Sequence, residues 1–322
     1  MAASAREPLS TGVHVRVSHL AARHPRPAAA IAIIVLSLIW GYNWVVMKVA
    51  LRSAGPFEFA ALRTLLAAVV LFILLVVLRR PLRPTAPLGL AWLGLLQTTG
   101  FIGLTMWALV HGAVGKTAVL VYTMPFWVIV LARLVLGERM DAVQRLAVVL
   151  GFLGLLLVLA PWRSQGGFVS SLLAIGAGVF WAAGTLYAKV LRRRVQFDLL
   201  SLTAWQMLFG AAGLTLIAAL LPHAPVNWNG GFVAALAYNV ILGNALAWFL
   251  WLYALNELPA GVASLGTLAA PAIGVLAAAL QFHEMPDGTE TGGMLLIGSA
   301  LALISLHAIR QHRRADPVIG QE

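Results

Sequence analysis

The sequence predicts an all-α integral membrane protein with ten transmembrane helices in two inverted five-helix repeats. Three observations carry this: the composition, ten long apolar runs, and a repeat at a shift of 141 to 146 residues. Of 322 residues, 61% are hydrophobic and only 10% charged, and the mean hydropathy is +0.90. A water-soluble domain carries about 25% charged residues, so water cannot coat this chain all round. The composition excludes a soluble enzyme, a disordered chain and a nucleic-acid-binding domain. The net charge of +11 sits in short Arg clusters between apolar runs, which is the pattern of membrane orientation signals. With zero cysteines, disulfides, thiolate metal sites and Cys nucleophiles are excluded.

A membrane helix needs roughly 20 apolar residues. Ten runs meet this, each closed by a charge, Pro or Gly cluster: Ala28–Ala50, Pro56–Leu78, Leu88–Val110, Val114–Leu136, Gln144–Ala160, Phe168–Val190, Leu199–Leu221, Gly231–Ala254, Pro259–Phe282 and Thr289–Ala308. The first run follows a polar stretch holding Arg6, Arg16, Arg23 and Arg26. It is too long for a signal-peptide core and no small-residue cleavage site follows, so it reads as the first span. The runs are continuous rather than alternating, which excludes a β-barrel. With the tail arginines, the clusters after spans two, four, six and ten place 16 of the 22 basic residues on one side. The positive-inside rule makes that side, and both termini, cytoplasmic.

The halves match in order. Trp40, Lys48 and Val49 align with Trp181, Lys189 and Val190, and Arg63 aligns with Gln206. Further on, Ala108-Leu109 aligns with Ala254-Leu255, Gly115 with Gly261, Pro125 with Pro271, Glu138 with Glu284 and Asp141 with Asp287. Five spans per unit is an odd number, so the second copy enters the membrane upside down. That is the architecture of secondary transporters, with a substrate site near the midplane between repeats. The expected organisation is a basic tail over 1–27, repeats over 28–161 and 168–308, and a tail over 309–322.

Three stretches resemble the EamA family of the drug/metabolite transporter superfamily: Trp40-Gly41-Tyr42-Asn43-Trp44 through Lys48 to Arg63, Gly115 through Pro125 to Gly137-Glu138, and Ala260 through Pro271 to His283-Glu284. His283 departs from the first half's Gly137. The resemblance covers about Ala28 to Ala308. It implies ten helices, a central cavity built from spans one, three, four, six, eight and nine, and export of small metabolites, often amino acids, across a bacterial inner membrane.

All eleven acidic residues fall in tails, loops or span ends. A membrane carboxylate is the usual proton relay, so a facilitator, an exchanger or a transporter coupled through some less obvious group is expected, with no cofactor or metal. Neither a metal-binding His-Glu motif, a phosphate loop nor a nucleophile elbow is present, so no enzyme activity is expected. Partners are a small solute and the bilayer, with no nucleic acid. The rival classes are a non-transporting sensor or assembly subunit and a carrier of lipid-like substrates.

Cavity candidates are polar or indole-bearing residues deep in spans. Asn43 lies beside Trp40 in span one and Trp181 is the second-half mate of Trp40. Gln97 is a deep amide in span three. Tyr122 flanks Pro125. Asn244 and Trp248 share a helix face with Trp251 by i, i+4, i+7 spacing, Trp251 suiting an interfacial belt. Each has a packing alternative, as interhelical hydrogen-bonding glue or aromatic filler. Arg63 either holds a substrate carboxylate or pairs with Glu58. Lys48 and Lys189 read as snorkelling at interfaces. Glu138 and Glu284 each read as favouring the N-terminus of the following helix. Pro125 and Pro271 fall mid-span and mark a kink or hinge.

Overall fold

A computed structural model describes residues 27–160, 167–222, 224–257 and 267–315. These residues are helical nearly throughout. The segments are α1 (Pro27–Ala50), α2 (Pro56–Val77), α3 (Pro87–Gly94, a π segment Leu95–Gly100, then Phe101–His111), α4 (Val114–Val121, then Met124–Leu136) and α5 (Ala142–Leu159). The second set is α6 (Phe168–Arg194), α7 (Leu199–Leu220), α8 (Gly230–Ala237, a π segment Tyr238–Leu246, then Ala247–Glu257), α9 (Ala269–Phe282) and α10 (Gly288–Ala315). Nine of them are long and apolar enough to cross a membrane. In α9, 14 residues are described, and the first part of its expected span, 258–266, lies outside the described residues.

Burial runs opposite to that of a water-soluble protein. Ile73, Leu134, Leu220 and Leu280 are exposed, whereas Asn43, Thr98, Thr117, Thr123 and Asn239 are buried. With lipid outside there is no hydrophobic force between helices, so close packing and interhelical hydrogen bonds must join them. Small residues permit that contact. A Cβ placed on Gly41 of α1 would meet Ile273 Cγ2 of α9 at 2.5 Å, and one on Gly293 of α10 would meet the Gly154 carbonyl oxygen of α5 at 2.6 Å.

The packing has a two-fold pattern. α1 packs on α8 and α9, and correspondingly α6 packs on α3 and α4; α2 packs on α7, α4 on α9 and α5 on α10. Equivalent helices run in opposite directions. Val114 N–H, at the start of α4, donates to Glu284 Oε2, just past the end of α9, at 2.6 Å. Likewise Arg80, after α2, pairs at 3.4 Å with Asp198, the N-cap of α7. His307, late in α10, lies 2.7 Å from the Asp141 carboxylate that caps α5.

The caps revise one expectation. Helices α5 and α10 are capped by Asp141, which accepts from Gln144 N–H at 2.9 Å, and by Asp287, which accepts from Glu290 N–H at 2.8 Å. Glu138 and Glu284 instead reach across to the other repeat: Glu138 pairs with Lys189 at 2.5 Å and Glu284 accepts from Val114. An aspartate is short enough to bond its own helix's third amide, which frees the longer glutamate.

Candidate functional site

The chemistry-bearing residues of the spans collect where α1 meets α8 and, by the two-fold, where α6 meets α3. Both contacts occur at π segments, Tyr238–Leu246 in α8 and Leu95–Gly100 in α3. A π segment bonds i to i+5, misaligns backbone groups and recurs at functional sites. At the first contact, Trp40 Nε1–H donates to the Gly243 carbonyl at 3.2 Å and Tyr238 O–H donates to the Ile39 carbonyl at 2.9 Å. Asn43 is 8% exposed, and its Oδ1 has no hydrogen-bond partner. Asn239 is fully buried; its Nδ2 donates to Ala235 O at 2.9 Å, while its Oδ1 also lacks a partner. Asn239 is a deep amide of span eight by its sequence position, but the π geometry is not legible there, since an i to i+5 turn leaves no compositional mark.

At the second contact, Gln97 Nε2 donates to Thr185 Oγ1 at 3.2 Å. Gly184 leaves room for the Gln97 side chain. Trp181 packs on Phe101 with ring centroids 4.7 Å apart. Thus Trp40 and Asn43 gather at one contact, Gln97 and Trp181 at its mate. Asn244 spends its Nδ2 on Asn239 O within its own helix, at 2.7 Å. Trp251 is half-buried and lies against Trp40, centroids 6.4 Å apart. The side chain of Trp248 lies outside the described residues.

Helix α4 is broken rather than kinked. Its first half stops at Val121, and Pro125 occupies the first turn of the second half. There the missing N–H would have lacked a partner anyway. Thr123 is fully buried and its hydroxyl donates to Leu120 O at 2.6 Å. Tyr122 sits in the break, its ring 6.2 Å from that of Trp44. Pro271 likewise lies in the first turn of α9 and is buried.

Two equivalent lysines, Lys48 and Lys189, flank this region. Lys48 does not snorkel. Its ammonium donates to the carbonyls of Leu109, Val110 and Gly112 at 2.6, 3.2 and 2.9 Å, closing the C-terminus of α3, where a cation complements the helix dipole. Lys116, nearby, pairs with Glu290 at 2.9 Å. At the other end Lys189 pairs with Glu138 on the rim of a 240 Å³ cleft that reaches in to Thr185. A larger groove, about 610 Å³, lies between Leu65 of α2 and residues of α7 such as Leu208 and Leu216. It is open and mostly apolar, as a lipid-facing groove would be.

Arg63, in α2, does not pair with Glu58. Its guanidinium lies 2.8 Å from Met47 Sδ of α1, while Glu58 accepts from Gly55 N–H at 3.0 Å. The equivalent Gln206 lies 3.5 Å from Thr98 Oγ1. A charge at a helix centre costs about 2.5–3.5 kcal/mol on insertion scales, and a thioether, a weak acceptor, offsets little of that. Among the described residues no group of three or more metal-ligating side chains occurs.

Comparison with known proteins places this geometry. Residues 27–160 and 169–306 each match the EamA-like transporter family. The chain is 29% identical over 273 residues to the "Uncharacterized transporter YoaV" of Bacillus subtilis (strain 168), covering 83% of this chain and 93% of that one. It is 26% identical over 294 residues to the "Probable amino-acid metabolite efflux pump" of Escherichia coli (strain K12), covering 86% and 94%. The "Riboflavin transporter" of Rhizobium johnstonii is 28% identical over 303 residues, covering 89% and 91%. A solved crystal structure with 20% identity shares the fold, at a TM-score of 0.59 over 89% of this chain and 99% of that one. With two family matches that together span most of its length, the chain is a multi-pass membrane protein belonging to the EamA-like transporter family.

Proposed function

We propose that the protein exports a small organic metabolite, such as an amino acid, by alternating access through a central cavity between two inverted five-helix repeats. In this reading residues 28–161 and 168–308 are the repeats, with ten spans in all. The tails 1–27 and 309–322 are cytoplasmic, and the membrane is the cell's inner membrane. Trp40, Asn43, Gln97, Tyr122, Trp181, Asn244 and Trp248 face the solute, and the segments at Pro125 and Pro271 are hinges. The relatives' names, an efflux pump among them, support transport.

The observation that carries the mechanism is the unequal state of two equivalent lysines. Lys48 is sealed onto three carbonyls of α3, while Lys189 and Glu138 are each more than 40% exposed beside a cleft. An alternating-access carrier needs this: two related gates, one shut while the other stands open. The exposed pair contributes about 0–1 kcal/mol, weak enough to break on every cycle. By the positive-inside rule the cleft opens to the cytoplasm, where an exporter loads.

Counterflow in liposomes holding only this protein tests the reading, with a panel of labelled amino acids and small metabolites. Saturable exchange of a solute is expected. No exchange across the panel by folded protein would overturn it, in favour of a lipid-like substrate or a non-transporting role.

A further inference from the structure

Several cations near the ends of the spans find strong partners. Lys48 closes three carbonyls, and Lys116, Lys189 and Arg80 meet carboxylates. Arg63 faces only the Met47 sulfur among the described residues, leaving a planar fork of five N–H donors with one weak acceptor. Its side chain is only half-buried, well inside α2, and an ionisable group within a span marks a functional site by default. An independent observation lies on the same face of α1. Asn43 is one turn from Met47, about 6 Å along the axis, and its buried Oδ1 is unpartnered. A cation fork and an orphan acceptor one turn apart match a solute carrying a carboxylate with a hydrogen-bond donor beside it.

We propose that Arg63 is the carboxylate anchor of the transport site, with Asn43 Oδ1 receiving a donor of the same solute. The substrate class is therefore small organic acids, α-amino acids among them. This rests on the transport reading above and narrows it. A guanidinium binds a carboxylate through two parallel N–H···O bonds, which neither an amide nor an ester reproduces. The neutral mate, Gln206, makes the site one-sided, so the solute binds with its carboxylate toward the Lys48 end.

The test is equilibrium dialysis of purified protein in detergent with labelled phenylalanine, leucine and glutamine, each competed by its unlabelled acid or its carboxamide. The acid is expected to bind more tightly than the amide by on the order of tenfold to a hundredfold, the worth of a charged hydrogen bond. Arg63→Gln erases that ratio. Arg63→Lys, which keeps the charge and guards against a folding failure, retains part of it. Asn43→Ala weakens acid and amide together and leaves the ratio intact. The proposal is overturned if wild type binds acid and amide equally, if it binds no acid in the panel, or if folded Arg63→Gln keeps the full preference. Acid binding through Arg63 without counterflow would sink the transport reading alone. Counterflow of a neutral solute, untouched in Arg63→Gln, would sink this inference alone.

Discussion

His283 carries a small, legible strain. It ends α9 at φ 57°, where its equivalent Gly137 ends α4 at φ 68°. The left-handed cap suits Gly because a Cβ collides with the following carbonyl oxygen, at roughly 1–2 kcal/mol. His283→Gly should therefore stabilise the protein by about 0.5–1 kcal/mol once the looser unfolded chain is allowed for. The expected readout is a raised melting temperature in detergent; a lowered one would show that the imidazole supplies contacts worth more than the strain. Asp141 offers a second check. Gln144 N–H above all, and then His307, hold its carboxyl below its ordinary 3.8. A depressed carboxylate stabilises the fold above the unfolded value, and that stability is lost as pH falls through the folded value. Asp141→Asn should thus lower the melting temperature at pH 7, and the gap should close as the pH drops below about 3.8. A gap that persists under strong acid would mean that the charge is not what matters.

Helices were the easiest elements to read, because about 20 apolar residues in a row have few other uses. What sequence did not reveal was their interruptions. The π segments of α3 and α8 consist of ordinary residues such as Leu95, Thr98, Tyr238 and Leu242, and only packing against α6 and α1 selects the wider turn. The two prolines did announce something in α4 and α9, though the form differs: Pro125 opens a new helix after a break at Tyr122–Thr123 instead of bending a continuous one. Proline at that place removes no helix bond, so Pro125→Ala should leave the melting temperature nearly unchanged. If the break is a hinge, the substitution lets α4 run straight and slows counterflow several-fold. An unchanged rate would leave Pro125 a static packing feature. Candidate side chains were less legible than helices, since an amide or indole in a span serves cavity and glue alike. The partner of each lies on another helix: Gln97 is bonded to Thr185, Trp40 to Gly243, Lys48 to the end of α3 and Arg63 to Met47.

At the scale of the whole molecule, the repeat read from Trp40/Trp181, Lys48/Lys189 and Glu138/Glu284 reappears as packing: α1 on α8 mirrors α6 on α3, with equivalent helices antiparallel. On the transport reading proposed above, the two ends act as two versions of one gate. The account's central claim is that these gates alternate. It can be tested with paired cysteines, since the chain has none of its own. Glu138→Cys with Lys189→Cys joins one end, and Lys48→Cys with Glu284→Cys joins the other. Each pair is linked by a short reducible bifunctional thiol reagent in liposomes, and counterflow is measured before linking, after linking and after reduction. Alternating access predicts that a link at either end alone abolishes flux and that reduction restores it. Full flux with one end linked would contradict the account.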